Sequence, residues 1–270
     1  MSRFDRDFEL SILDVVVKPP LRVVFNATKS VTGGLNKMNL QVYNLKESNR
    51  LRIVKDAEEQ KRIPIELKVG YKGSLQTIFK GTVHKGSNDR KGADFISSFE
   101  CLDGGFDYLA SFTSKTVRGK DKAIDAILLD MPNTTKGKLT EQVALIRPKV
   151  LVGNSIKLIE EALGEDESYY IDNEQLFIVK AGEVVSSFIP VATASTGLLN
   201  TPQRKAQEVS FEILMNPSII IGGLVDLRSE NAPHLNDVYK VRDITFDGDF
   251  DGQNWSQLVT CFSAGNYKVL

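Results

Sequence analysis

The densest group of potential ligands is Asp247, Asp249 and Asp251 followed by Gly252, which matches the opening of a D-x-D-x-D-G calcium loop. Such a loop takes a bidentate acid at its twelfth position, and counting from Asp247 that position is Leu258. The flanking residues alternate as strands do, so the segment reads as a solvated hairpin loop and no metal is assigned to it. His84 and His234 are the only histidines. His84 falls at the end of an alternating run and His234 follows Pro233 in a polar stretch. Neither comes with a Ser or Cys nucleophile motif, so no hydrolytic triad is built from them.

The remaining candidates also read as scaffold. Glu160-Glu161 and the acids from Glu165 to Glu167 could supply a carboxylate pair for glycosidic chemistry, but they sit where a helix ends and read as a solvated surface. Lys115 to Lys122 holds four basic residues without interleaved aromatics, which suits a soluble linker and helix start better than a nucleic-acid groove. Gly33-Gly34 and Gly222-Gly223 lack the spacing of a phosphate-binding loop and read as turns or bulges. Cys101 and Cys261, the only cysteines, have no metal-binding spacing and read as small buried strand residues with free thiols. No catalytic, cofactor-binding or metal-ligating residue is assigned, and no cofactor is expected.

Composition agrees with a non-enzymatic scaffold. The chain has 270 residues, a formal net charge of −1, 41% hydrophobic and 26% charged residues. Those values fit a soluble globular protein and give no overall field toward nucleic acid or an anionic membrane. No apolar run reaches the length of a membrane-spanning helix, and the charged start MSRFDRDFEL carries no signal-peptide core. The expectation is synthesis in the cytoplasm without membrane insertion.

The elements that must position these residues are mainly strands. Leu21, Val23, Phe25 and Ala27 alternate with polar neighbours, as do Met38, Leu40 and Val42 after the Gly33-Gly34 break. A period of two places alternate side chains on opposite faces, so this pair predicts a hairpin with Leu21, Val23, Phe25, Met38, Leu40 and Val42 in the core and Arg22, Asn26, Asn39 and Gln41 facing away. A short strand precedes it and stops at Pro19-Pro20. Lys46 to Glu58 predicts a helix capped by Ser48 or Asn49. Ile63 to Val69, Thr77 to Val83 and Asp94 to Leu102 predict strands, the last two joined by the polar loop KGSNDRKGA, with the region closing near Gly104-Gly105. Helical spacing then marks Lys120 to Met131 and a second helix capped by Asn154 or Ser155, followed by a hairpin around Asp172 to Gln175. Strands return at Val184 to Val191, Val209 to Met215, Ile219 to Leu227, Val238 to Phe246 and Trp255 to Phe262.

The two strand-rich ends match each other. Phe79, Phe95, Cys101 and Gly105 correspond to Tyr239, Trp255, Cys261 and Gly265, each pair 160 residues apart. Four matches at one spacing predict two copies of one β unit.

The stretches LRVVFNATKS, NKMNLQVYNL and VGYKGSLQTIFKGTV, with TGLLNTP, VSFEILMNPSIIIGGLVDLRS and VYKVRDITFDGDFDGQNWSQLVTCF further on, resemble in kind and order the phage tail baseplate hub family. The resemblance implies a mainly β fold with a first tube-like β-barrel domain at 1–110, a small α/β insertion at 111–182 and a second barrel at 183–270. It implies a structural virion protein forming a homotrimer, whose pseudo-sixfold ring joins a hexameric tail tube to a trimeric central spike and contacts other baseplate proteins. Phage DNA would cross the lumen without specific binding, and assembly would take place in the host cytoplasm. Some hub-like proteins carry cell-wall-cleaving domains; this sequence reaches Leu270 just after the second β region, so no lytic activity is expected. The rival readings are another tail component, such as a tube or distal tail protein, then a cell-wall hydrolase, then a carbohydrate-binding module.

Overall fold

The computed structural model of the chain describes residues 5–32, 34–118, 123–141 and 148–270. The first third contains β1 (Arg6–Ile12), β2 (Val15–Val17), β3 (Val23–Ser30), β4 (Lys37–Tyr43), α1 (Glu47–Glu58), β5 (Pro64–Tyr71), β6 (Ser74–Lys91), β7 (Asp94–Leu102) and α2 (Gly105–Ala110). The middle holds β8 (Phe112–Val117), α3 (Ala123–Leu128), β9 (Thr135–Leu139), β10 (Lys149–Asn154), α4 (Ser155–Ala162), β11 (Glu167–Asp172) and β12 (Gln175–Lys180). The last third has β13 (Glu183–Val184), β14 (Val191–Ala192), β15 (Gln203–Lys205), β16 (Glu208–Leu214), β17 (Leu224–Leu227), β18 (Asp237–Asp249), β19 (Trp255–Ser263) and β20 (Lys268–Val269). The fold is mainly β, as the alternation predicts.

One sheet runs through both ends of the chain in the order β15-β16-β19-β18-β3-β4-β7-β6-β5-β1-β2, and every step along it is antiparallel. Within it the order β4-β7-β6-β5 is repeated as β16-β19-β18-β17. Strand β3 joins the two sets, pairing with β4 on one side and with Asp243–Asp249 of β18 on the other. Val23, Phe25, Ala27, Met38, Leu40 and Val42 are buried while Asn26, Asn39 and Gln41 are exposed, so the predicted two-faced hairpin holds, with Leu21 and the outward-assigned Arg22 only half-buried. The buried face continues through Phe99, Cys101, Phe246, Val259, Cys261 and Phe211 into one apolar core. A second apolar cluster, including Ile124, Ile127, Leu151, Ile159 and Ile178, belongs to the middle segment.

The repeat is real in topology but its spacing needs correction. Cys101 lies opposite Val83 and Cys261 opposite Val241, and in both hairpins a β-bulge follows at once, with His84 and Arg242 as the extra residues. Phe95 and Trp255 also correspond, near the starts of β7 and β19. Phe79 and Tyr239 do not. Phe79 faces Leu67, whereas Tyr239 faces Val225, whose counterpart Ile65 faces Gly81. The turns between the paired strands differ in length, so one constant offset cannot serve both strands. Gly105 opens α2 while Gly265 sits at φ 54 in a connecting segment, so these two are not equivalent either.

Several boundaries differ from expectation. The stretch read as the loop KGSNDRKGA is mostly strand, because β6 extends to Lys91 along β7. Its polarity reflects the exposure of Lys85, Ser87 and Asp89 on one face, which a loop and a solvent-facing strand share. Helix α1 starts from Lys46 with no side-chain cap, and Glu47 in its first turn with Lys55 in its last complements the helix dipole instead. Val184 to Val191 is not one strand but the two short pieces β13 and β14, and Ile219 to Leu227 is strand only from Leu224. Helix α4 is capped by Asn154, whose side-chain oxygen accepts from the amides of Ile156 and Lys157. The predicted helix over Lys120 to Met131 appears as α3; Lys120 to Lys122 lie outside the described residues.

Candidate functional site

The Asp-rich loop is the first place to look for chemistry, and arginines fill it. Asp249 ends β18 and receives a two-pronged contact from Arg22 at the edge of β3, Nε to Oδ1 at 3.0 Å and Nη2 to Oδ2 at 2.7 Å. That fork geometry suits a carboxylate. Arg6 of β1 donates to the carbonyl oxygens of Asp249 (3.1 Å), Gly252 (2.6 Å) and Gln253 (2.9 Å). The carbonyls a cation would use thus receive a guanidinium. Hydrogen bonding from Arg22 holds the Asp249 carboxyl below its usual range, against an opposing effect of burial. Asp247 accepts from the Asn254 side chain at 3.2 Å. Among the described residues no cluster of His, Cys, Asp and Glu has metal-binding geometry.

The other candidates are scattered. His84 is exposed in the β6 bulge, and His234 is exposed in a short 3-10 turn at Pro233–Leu235. Glu160 accepts from the Tyr169 hydroxyl at 2.8 Å, and Glu167 accepts from the amide of Gly164 at 2.9 Å, so these acids fasten a helix end and a turn. Lys115 pairs with Asp130 at 2.7 Å. Cys101 and Cys261 are buried free thiols, and burial pushes both pKa values up.

Sequence reasoning missed a buried polar cluster. The β11–β12 hairpin turns through Asn173 (φ 53) and Glu174 (φ 60), and both amides donate to Asp103, at 2.6 and 2.8 Å. Positive φ at both positions marks a type I′ turn, which is costly for Glu. The carboxylate of Asp103 offsets that cost by receiving both amides. Lys29, on the core side of β3, binds Asp172 at 2.5 Å and Asn173 at 3.0 Å, and Asn36 donates to the Ile171 carbonyl at 2.8 Å. Glu174 closes the cluster against Arg62 at 2.9 Å and Lys80 at 3.2 Å. Burial foremost, then the charge of Asp172, raises the Asp103 carboxyl to about 7. The partners are far apart in sequence, so no local motif could have revealed them. The cluster ties the middle segment to the first sheet.

Two surface concavities remain: one beside α1 and α2, lined by Lys61, Arg62, His84, Lys85 and Phe106, and one on the outward face of the long sheet. Asn26, Asn39, Gln41, Ser87, Ser98, Glu100 and Asp247 share a shallow exposed groove on it. Lys85 also lines it and pairs with Glu100 at 3.3 Å, so the groove is polar and of mixed charge. Such a face can border water or another protein but carries no arranged acid, base or nucleophile.

Comparison with known proteins agrees with this scaffold. The family model described as baseplate hub gp41 matches residues 6–254. None of the curated proteins matches by sequence. Among solved structures, the 43 kDa tail protein of prophage MuSo2 from Shewanella oneidensis superposes with a TM-score of 0.66 at 10% identity, covering 97% of this chain and 98% of that one. The tail protein from Neisseria meningitidis MC58 gives 0.64 at 8% identity, with 98% of both chains covered. The E. coli c3393 protein, a type VI secretion system component described as structurally similar to the T4 tail proteins gp27 and gp5, gives 0.64 at 8% identity, covering 96% of this chain and 78% of that one. At these identities the structural likeness is one of fold, and the family assignment comes from the sequence model: the chain belongs to the baseplate hub gp41 family of phage tail structural proteins.

Proposed function

We propose that this protein is a non-enzymatic baseplate hub that forms a homotrimeric ring between a hexameric tail tube and a trimeric central spike. The carrying observation is the strand order β4-β7-β6-β5 repeated as β16-β19-β18-β17 within one chain. Three chains with two similar units each present six near-equivalent surfaces to a sixfold partner and three to a threefold one. In this reading residues 1–110 and 183–270 are two tube-like barrel domains and 111–182 a small α/β insertion. The polar sheet face around Asn26, Asn39, Gln41 and Ser98 lines the channel, where side chains without a positive cluster let DNA pass without holding it. The protein is then a virion component of the tail baseplate, assembled in the host cytoplasm, with the tube protein, the spike protein and other baseplate proteins as partners. The fold shared with c3393, described as similar to the T4 tail proteins gp27 and gp5, agrees with a tail-baseplate role.

Native mass spectrometry with electron cryomicroscopy of the assembled tail tests this. A trimer seated between tube and spike is the expected result. A chain that stays monomeric and binds neither tube nor spike protein overturns the reading, and a hexameric ring replaces it with a tube-protein role.

A further inference from the structure

The two repeats differ in what covers one strand edge. In the second repeat, the far half of β18, Asp243–Asp249, is covered by β3 of the first repeat. In the first repeat, the equivalent half of β6, from Lys85 to Lys91, pairs with β7 on one side only, because its pairing with β5 stops at Thr82. Among the described residues no strand lies along its other edge. At the opposite end of the sheet, β15 pairs with β16 alone. The registers make β15 the counterpart of β3. Asn39 faces Asn26 and Ser210 faces Gln203, while Met38 and Val209 occupy matching places opposite Cys101 and Cys261. Each chain therefore carries one strand half of the kind β3 covers, flanked among the described residues only by α1, whose Arg50 carbonyl accepts from the Asn88 side chain at 3.2 Å, and one strand of the kind β3 is that pairs on one side alone.

We infer that β6 of one copy takes β15 of a second copy as an antiparallel neighbour, with Ser87 opposite Lys205, Asn88 opposite Arg204 and Asp89 opposite Gln203. That register transfers the internal junction, in which Thr245 faces Thr28, Phe246 faces Ala27 and Asp247 faces Asn26. The charge pattern differs from that of the internal junction: the covered half of β18 carries Asp243, Asp247 and Asp249, the last paired with Arg22, whereas this half of β6 carries Lys85, Arg90 and Lys91 beside Asp89. In the transferred register Asp89 falls diagonal to Lys205, a favourable cross-strand contact, while Lys85 also falls diagonal to Lys205 and Arg90 to Arg204, so the backbone ladder and not net charge carries the seam. The ladder is short, because Pro202 has no amide hydrogen to extend it and Ala206 turns at φ 56. The contact is head-to-tail, so it repeats until a ring closes, and it covers two edges that would otherwise invite uncontrolled pairing. This inference rests on the proposed ring and names the seam that closes it.

Cysteine cross-linking tests the seam. Thr28→Cys with Thr245→Cys, the equivalent pair inside one chain, serves as the positive control and gives an intrachain product. In the native oligomer, Ser87→Cys with Lys205→Cys treated with a short bis-maleimide yields covalent dimers and a closed trimer on a denaturing gel, at least tenfold above Ser87→Cys with Leu199→Cys. Each single variant stays monomeric on that gel. A native trimer in which the control pair links and the Ser87–Lys205 pair does not overturns this seam while leaving the ring intact. Covalent dimers from Ser87→Cys alone also overturn it, since they require two β6 edges to meet. A protein that is monomeric by native mass spectrometry overturns seam and ring together.

Discussion

Phe25 and Trp255 meet edge to face, with ring centroids 5.7 Å apart and planes at 75°, although one lies on β3 and the other on β19. What lets them meet is Gly248, which faces Phe25 on one side of β18 and Trp255 on the other. A Cβ at Gly248 would lie 2.2 Å from Phe25 Cζ. The missing side chain is thus where the two β regions interlock. Gly248→Ala must push the Phe25 ring off its seat, and overpacking of this kind costs about 1–3 kcal/mol. Equilibrium urea unfolding followed by Trp255 fluorescence gives the number. A variant as stable as the parent, with unchanged emission, would show that the ring has room to move.

Arg22 and Asp249 reinforce the same seam from its polar side, and Arg22 also lies over the Tyr43 ring at 4.7 Å. The pair is partly exposed, so its coupling in a double-mutant cycle with Arg22→Ala and Asp249→Ala should be about 1 kcal/mol or less. Its pH dependence has a definite sign. The folded-state pKa of Asp249 is depressed, first by the Arg22 hydrogen bond. Its stabilisation is therefore present above the ordinary aspartate value near ~4 and is lost as pH falls through the depressed value. Urea midpoints at pH 6 and pH 3 should show a smaller acid-induced drop in Asp249→Asn than in the parent. Equal drops would remove this pair from the account of acid sensitivity.

The two cysteines make a chemical prediction. Cys101 and Cys261 are buried in equivalent strands, and desolvation raises both thiols above their ordinary value. Since the thiolate is the reactive form, neither should label with iodoacetamide at pH 8 in the folded protein, and both should label in denaturant. Mass spectrometry counts the adducts. Labelling of one thiol in the native state would mean that its strand opens locally.

The alternation of Val23, Phe25 and Ala27 against Asn26 and Thr28 was legible because a half-buried strand writes its two faces directly into the sequence. Phe95–Trp255 and Cys101–Cys261 were legible for the same reason, since equivalent core positions ask for similar side chains. Lys85 to Lys91 was not, because a strand with one solvated face and one open edge has the composition of a loop. The β18–β3 seam was equally hidden: Asp247 facing Asn26 depends on how two distant stretches dock, and nothing local encodes it. The Asp247–Asp251 motif looked like a ligand loop because its cation, Arg6, lies at the other end of the chain.

Lys29 illustrates the same limit and carries the sharpest prediction. It is a buried lysine on the core face of β3, and its ammonium binds Asp172 and Asn173 beside Asp103. Lys29→Met would leave the buried Asp103 and the half-buried Asp172 without their cation. Removing one partner of a buried charge set typically costs about 3–5 kcal/mol. The loss should be focused on the β11–β12 hairpin, seen as faster amide exchange over residues 167–180. Asp103 adds a pH signature. Its folded-state pKa is raised to about 7, first by burial, above the unfolded aspartate value near ~4. A raised acid binds its proton more tightly in the folded state, so its contribution is most favourable below the unfolded value and declines as pH rises toward 7. Stability should therefore fall between about pH 4 and pH 7 in the parent and level off above that, and this slope should flatten in Asp103→Asn, which no longer titrates. Asp103→Asn also forfeits one acceptor for the Asn173 and Glu174 amides, so it should be less stable at every pH. A variant that is uniformly destabilised but keeps the parent slope would assign the pH dependence to other groups and leave Asp103 only its role in the turn.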